Sequence, residues 1–186
     1  MMRIITGSAR GTHLQTLTGD ATRPTSERAK EALFSMLSDR AAARLVLDLF
    51  AGSGQLGLEA LSRGAARCVF VDASRDAASV VRANAKKTHL EDRAEIVVSD
   101  ALSYLGRTNA RFDLVFLDPP YAAGLLPAVL RTLHGQRLLL PAATVVVECA
   151  DPAPLEADAA LGDLFEIEKK SRYGVAHILI LKEKQA

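Results

Sequence analysis

Five short apolar runs recur along the chain, each closed by a polar or glycine-containing break: RLVLDLF (44–50), RCVFVDA (67–73), AEIVVSDA (94–101), RFDLVFLD (111–118) and ATVVVECA (143–150). They are too apolar for a sheet with one face in water, so they predict parallel strands covered on both faces. Helical patterns fill the gaps. Gln55 to Arg63 closes on Gly64, a C-terminal stop, and Ser74 can cap a segment running to about His89. Gly124 to His134 sets Leu125, Leu126, Val129, Leu130 and Leu133 on one side. Strand–helix alternation of this kind predicts an α/β fold built on a doubly wound, mostly parallel sheet.

The two ends depart from the alternation. LFEIEKKS and VAHILILKE, joined by RYG, read as a hairpin, so the last strand should run antiparallel to its neighbour. MMRIITGSARGTHLQTL alternates and holds two glycines, which predicts a small hairpin or extended arm. A helix follows RPT, with Ala29, Ala32, Leu33, Met36 and Leu37 on one face, Thr25 or Ser26 as its cap and Pro24 keeping the preceding chain extended. No repeat or linker divides the chain, so one domain over residues 1–186 is expected, with 1–22 as the arm and 23–186 as the core.

A formal net charge of +1 excludes a chain that attracts polyanions with its whole surface, so any nucleic-acid contact must be local. The first thirty residues do lean basic, through Arg3, Arg10, Arg23, Arg28 and Lys30. Cys68 and Cys149 lie in strand-like runs and read as buried reduced thiols rather than a disulfide or a metal site. The start of the chain has no apolar signal-like region, and the longest apolar run, Leu138 to Ala150, is broken by Pro141 and Glu148. A cytoplasmic protein, without metal or membrane partner and monomeric, is the expectation.

DLFAGSGQLG places Gly52-x-Gly54-x-x-Gly57 between a strand and a helix. The glycines permit a tight turn and close approach of a ligand to the backbone, a pattern used by nicotinamide, flavin and methyl-donor enzymes alike. The acids around it narrow the choice. Asp48, four residues before Gly52, repels a pyrophosphate and suits a cation. Asp72 ends the next strand, where ribose hydroxyls are bound, and Asp100 ends the third, where a purine amino group could be read. S-adenosylmethionine, with sulfonium, ammonium, ribose and adenine, fits these acids better than NAD does.

The fourth strand ends in DPPY, Asp118 to Tyr121. Pro119 and Pro120 offer carbonyls and no N–H, so with the Asp118 carboxylate the local chemistry is all acceptor, and Tyr121 adds a flat ring. Such a pocket suits the exocyclic amine of a nucleobase drawn out of its stack. Hydrogen bonds to the amine would favour a more tetrahedral nitrogen aimed at a methyl donor, without metal or covalent enzyme intermediate.

RIITGSARG, RPTSERAKEALF, LDLFAGSGQLGLEALSRGA and LVFLDPPY, in that order, and RYG before a terminal strand, resemble the bacterial 16S rRNA guanine-N2-methyltransferases of the small-subunit methyltransferase D group over essentially the whole chain. The resemblance implies a Rossmann-like class I methyltransferase fold with a seven-stranded sheet and an N-terminal hairpin extension. It also implies S-adenosylmethionine as donor and one guanine of 16S rRNA, within the 30S subunit or its assembly intermediate, as acceptor. By motif, Asp48, Phe50, Ala51, Gly52, Ser53, Gly54 and Gly57 would lie along the donor, with Asp72 and Ala73 at the ribose and Asp100 and Ala101 at the adenine. Asp118, Pro119, Pro120 and Tyr121 would grip the guanine. Arg10, Arg23, Thr25, Arg28 and Arg172 are the expected RNA contacts, with Lys86, Lys87, Lys169 and Lys170 as further phosphate candidates.

Rival readings carry distinct signatures. An adenine-N6 DNA methyltransferase shares DPPY but calls for a target-recognition region, and none is visible. A small-molecule N-methyltransferase calls for a lid. A dehydrogenase is opposed by Asp48, and a non-catalytic RNA-binding assembly factor by the pairing of an intact glycine loop with DPPY.

Overall fold

The computed structural model describes residues 2–17, 27–120 and 124–184. The elements run α1 (Glu27–Leu37), β1 (Leu45–Asp48), α2 (Gln55–Ser62), β2 (Arg67–Asp72), α3 (Arg75–Lys87), β3 (Ala94–Val98), α4 (Ala101–Leu105), β4 (Phe112–Leu117), α5 (Leu126–Gly135), β5 (Leu139–Cys149), α6 (Ala153–Glu156), α7 (Ala159–Leu164), β6 (Phe165–Tyr173) and β7 (Ala176–Glu183). They form one seven-stranded sheet in the order β3-β2-β1-β4-β5-β7-β6. β1 to β5 pair in parallel, and β7 runs antiparallel between β5 and β6.

The pleat explains why the strand sequences lack polar alternation. Val46, Phe70, Leu114, Phe116, Val146, Ile178 and Ile180 face one core, with residues of α1 and α2. Leu47, Val69, Val71, Val115, Leu117, Val145, Val147, Leu179 and Leu181 face the other, under α4 and α5. Successive side chains point to opposite faces, and both faces are covered. Both cysteines are free and buried, as the strand pattern predicts. Among the described residues no helix is long and apolar enough to cross a membrane.

Three local readings are corrected. Residues 94–101 are not one strand: β3 stops at Val98, and Asp100 accepts the Ser103 N–H (2.9 Å) to cap α4, which takes Ala101. β5 starts at Leu139, because Pro141 and Ala142, the latter at φ 64°, are absorbed in an irregular entry to the strand. After β5 come α6 and α7, where no element was expected; Asp158 caps the second of these through the Leu161 N–H. The predicted cap at Thr25 or Ser26, with Pro24 before it, lies outside the described residues.

The N-terminal segment is a hairpin, with Ile4 N–H donating to Thr12 O (3.0 Å), Leu14 N–H to Met2 O (2.9 Å) and Arg3 bridging antiparallel to His13. It is docked on α2 rather than extended. Buried Glu59 of α2 accepts from the Ile5 N–H (2.8 Å), the Thr6 N–H (3.0 Å) and Arg63 Nε (2.8 Å), and stands 3.5 Å from Lys30 Nζ of α1. Ser62 accepts from Ala9 N–H through Oγ and from Ser8 N–H through its carbonyl. The fit is close enough that a Cβ at Gly7 would lie 1.8 Å from Ser62 O. Lys30 is therefore no surface charge: it is fully buried and donates to Arg3 O (2.6 Å).

Glu59→Ala would leave Lys30 buried without its carboxylate and two hairpin N–H groups without an acceptor. We expect a loss of about 3–5 kcal/mol in unfolding free energy by urea titration. A loss below about 1 kcal/mol would mean that this carboxylate does not hold the hairpin in place.

Candidate functional site

β1 has β2 on one side and β4 on the other, so the chain crosses over in opposite directions from it. In an open parallel sheet the ligand crevice lies at the carboxyl ends of strands flanking such a switch point. Asp48 ends β1 and Asp118 follows β4 directly. Both share the pleat parity of Val46, Phe116 and Val146, and so does Glu148 near the end of β5. Three carboxylates on three neighbouring strands therefore point to the face covered by α1, α2 and the hairpin.

A cavity of about 230 Å³ opens there, lined by Met2, Thr16, Leu17, Asp48, Phe50, Ala51, Gly52, Ser53, Gln55, Leu56 and Asp118. Six of the predicted donor and base residues thus meet in one space. The turn that carries four of them is held from all sides. Leu49 N–H donates to Phe116 O (3.1 Å) and Ala51 N–H to Val71 O (3.0 Å), stretching the chain between β4 and β2. Gly52 N–H donates to Asp72 Oδ2 (2.9 Å), whose other oxygen accepts from Ser74 N–H (2.8 Å). The buried Asn84 amide of α3 donates to Ser53 O (2.9 Å) and bonds both ways with the Gln15 backbone. Gly54 turns into α2 at φ 77°. At Gly57 a Cβ would lie 2.3 Å from the Phe70 ring, so only glycine lets α2 rest on β2.

Other predicted residues stand apart from this cavity. Asp72 ends β2 and exposed Ala73 follows it, and Asp100 is exposed with its carboxylate engaged as the α4 cap. Pro119 is buried and Pro120 exposed, and neither lines the cavity. Arg10 on the hairpin, Arg28 on α1 and Arg172 on β6 are exposed; Arg172 Nε donates to Gly174 O (3.0 Å). Lys170 pairs with Glu156. Tyr121, Arg23 and Thr25 lie outside the described residues. Among the described residues no group of three or more His, Cys, Asp or Glu is placed to hold a metal ion.

Sequence spacing missed Met2, Thr16 and Leu17, which reach the cavity only because the hairpin docks on α2. It passed over Gln55 as a spacer between glycines. Asn84 did carry a signal: it is an amide on the α3 face otherwise made of Ala77, Ala78, Val81 and Ala85.

The electrostatics suit a cation. Burial pushes the Asp48 carboxyl up to about 7, against the pull of the Gly57 N–H and with a further push from Asp72. Burial, Glu148 and Asp48 hold Asp118 well above the usual carboxylate range. A cationic ligand in the cavity would relieve both, and the open space over Gly52 admits one against the backbone. S-adenosylmethionine therefore fits the donor set, with Asp48, Phe50 to Ser53 and Gln55 as the residues that would hold it.

A family model described as conserved hypothetical protein 95 matches residues 2–182. The chain is 36% identical over 186 residues to "Putative rRNA methyltransferase YlbH" of Bacillus subtilis, covering 98% of this chain and 100% of that one. It is 37% identical over 147 residues to "Ribosomal RNA small subunit methyltransferase D" of Escherichia coli K12, covering 79% and 74%. The solved structure "Putative methyltransferase yhhF from Escherichia coli" superposes with a TM-score of 0.84 at 30% identity, over 100% of this chain and 99% of that one. The sheet order, the reversed β7 and this superposition make the fold that of the class I methyltransferases.

An Asp48 pKa of about 7 lies above the roughly 3.9 of an unfolded aspartate. Its contribution to the stability of the ligand-free protein is then full below about pH 4 and is lost as pH rises through about 7. Between pH 6 and 8 the melting temperature should fall by about 2–4 °C more in the wild type than in Asp48→Asn, measured by calorimetry. Equal slopes would place the Asp48 carboxyl in its ordinary range.

Proposed function

Because this chain belongs to the ribosomal RNA small subunit methyltransferase D family, we propose that it transfers a methyl group from S-adenosylmethionine to the exocyclic N2 of one guanine in 16S rRNA. The observation that carries the reading is the convergence of Asp118 and Asp48 on one cavity at the switch point of the sheet. The donor, when bound, supplies an electrophilic methyl group on a sulfonium.

Asp48 and the Phe50–Ser53 turn hold the donor's cationic end, with Asp72 at the ribose and Asp100 at the adenine. Asp118 and the Pro119 carbonyl accept hydrogen bonds from the guanine amine, which orients its lone pair away from the ring plane. As N2 gains carbon it must shed one proton. Ionised beside the donor's positive charge, the Asp118 carboxylate takes that proton. Tyr121 and Pro120 complete the grip on the base. Arg10, Arg23, Thr25, Arg28 and Arg172 contact the RNA backbone, and the substrate is the 30S particle or an assembly intermediate in the cytoplasm, met by a monomer.

The test uses 30S subunits and bare 16S rRNA from cells lacking the protein, methyl-labelled donor, and mass spectrometry of the nucleosides. We expect N2-methylguanosine at one site and a fall of about 10²–10³-fold in kcat for Asp118→Ala. Label in DNA or a small metabolite but not in rRNA would overturn the substrate assignment.

A further inference from the structure

Gln55 carries the one buried side-chain N or O atom among the described residues that has no hydrogen-bond partner, its Oε1. The residue is 7% exposed and lines the cavity with Asp48, Leu56 and Asp118. Native proteins leave few such atoms unpaired, and an orphaned acceptor of this kind destabilises the protein that keeps it. A methionine of the same length would fill the space at no such penalty. The amide is therefore better explained by a donor that arrives from outside.

The surroundings define that donor. Gln55 is the first residue of α2, and its N-cap, Gly54, offers no side chain to the first turn, where Asp48 takes the Gly57 N–H and leaves those of Gln55 and Leu56 to a ligand. A helix start draws an anion, whereas Asp48 and Gln55 Oε1 draw an N–H-bearing cation. A zwitterion satisfies both at once. Asp118 stands on the β4 side, where the base is read; Gln55 stands on the β1–α2 side, with the glycine turn.

We infer that Gln55 Oε1 accepts a hydrogen bond from the α-ammonium of a zwitterionic amino-acid group, the aminoacyl end of the methyl donor. This rests on the donor assignment above. Gln55 is thus a positioning and affinity residue, and its amide is a local weakness in the ligand-free protein.

The two halves of that statement predict changes of opposite sign. In Gln55→Met the ligand-free melting temperature should rise by about 2–4 °C as the orphaned acceptor is removed. Affinity for S-adenosylhomocysteine, measured by titration calorimetry, should fall about tenfold with the loss of one charge-assisted hydrogen bond. An analogue of S-adenosylhomocysteine lacking the amino group should bind wild type and Gln55→Met alike. Gln55→Glu keeps an acceptor and should bind S-adenosylhomocysteine within about threefold of wild type or more tightly.

A lower melting temperature in Gln55→Met with unchanged affinity would overturn the inference and leave Gln55 a packing residue. So would an equal loss of affinity for both ligands. Wild type that binds S-adenosylhomocysteine while Gln55→Met binds it equally well would sink the Gln55 assignment alone. Wild type that binds neither ligand would sink the donor assignment with it.

Discussion

One buried carboxylate, Glu59, holds the N-terminal hairpin against the catalytic sheet. It collects two backbone N–H groups from Ile5 and Thr6, the Arg63 guanidinium and the Lys30 ammonium from α1. Burial lowers the Lys30 pKa, and the attraction of Glu59 opposes that shift. Removing either partner strands the other charge in a dry site, so the pair acts as a latch more than as a source of net stability. What the latch secures is a wall: with the hairpin seated, Met2, Thr16 and Leu17 close the side of the cavity that the sheet leaves open.

The cavity itself is arranged against the stability of the empty protein. Asp48 and Asp118 share a poorly solvated cleft with Glu148 nearby; burial raises the pKa of both aspartates, and Glu148 and Asp48 raise that of Asp118 further. Repulsion among like charges and an unpaired amide oxygen at Gln55 are tolerated because the surrounding frame is over-determined. Asp72 fixes Gly52, Asn84 fixes Ser53, and β2 and β4 pin the flanking N–H groups. A ligand bearing positive charge and N–H donors would turn these unfavourable terms into binding energy, which is how a preorganised site differs from an adaptable one.

Much of this was legible in the residues, and the exceptions have physical causes. Strand runs covered on both faces have a composition that few other folds share, so the sheet and the carboxyl ends of its strands could be read directly. Asp48, the glycine turn and Asp118 followed, because strand ends fix where side chains converge. Asp100 was less legible: a carboxylate before a short helix reads the same whether it binds a ligand or caps the helix, and here it caps α4. Lys30 was counted among the basic residues of the first thirty because nothing local tells a solvated lysine from one paired with Glu59, twenty-nine positions on. Met2, Thr16 and Leu17 could not be read at all, since their place depends on a docking contact and not on spacing.

The two-turn helix α2 links these features. Its first residue, Gln55, faces the cavity; Gly57 rests on Phe70 and donates its N–H to Asp48; Glu59 and Ser62 hold the hairpin. A shift of this helix along its axis would therefore move the cavity floor and the hairpin wall together. Close packing below the helix resists such a shift: at Gly57 a Cβ would lie 2.3 Å from the Phe70 ring and 2.7 Å from the Cys68 sulfur. The hairpin limits it from above. Cavity and N-terminal extension are thus one mechanical unit, so a substitution on the α2-facing side of the hairpin acts on the cavity even where it does not line it.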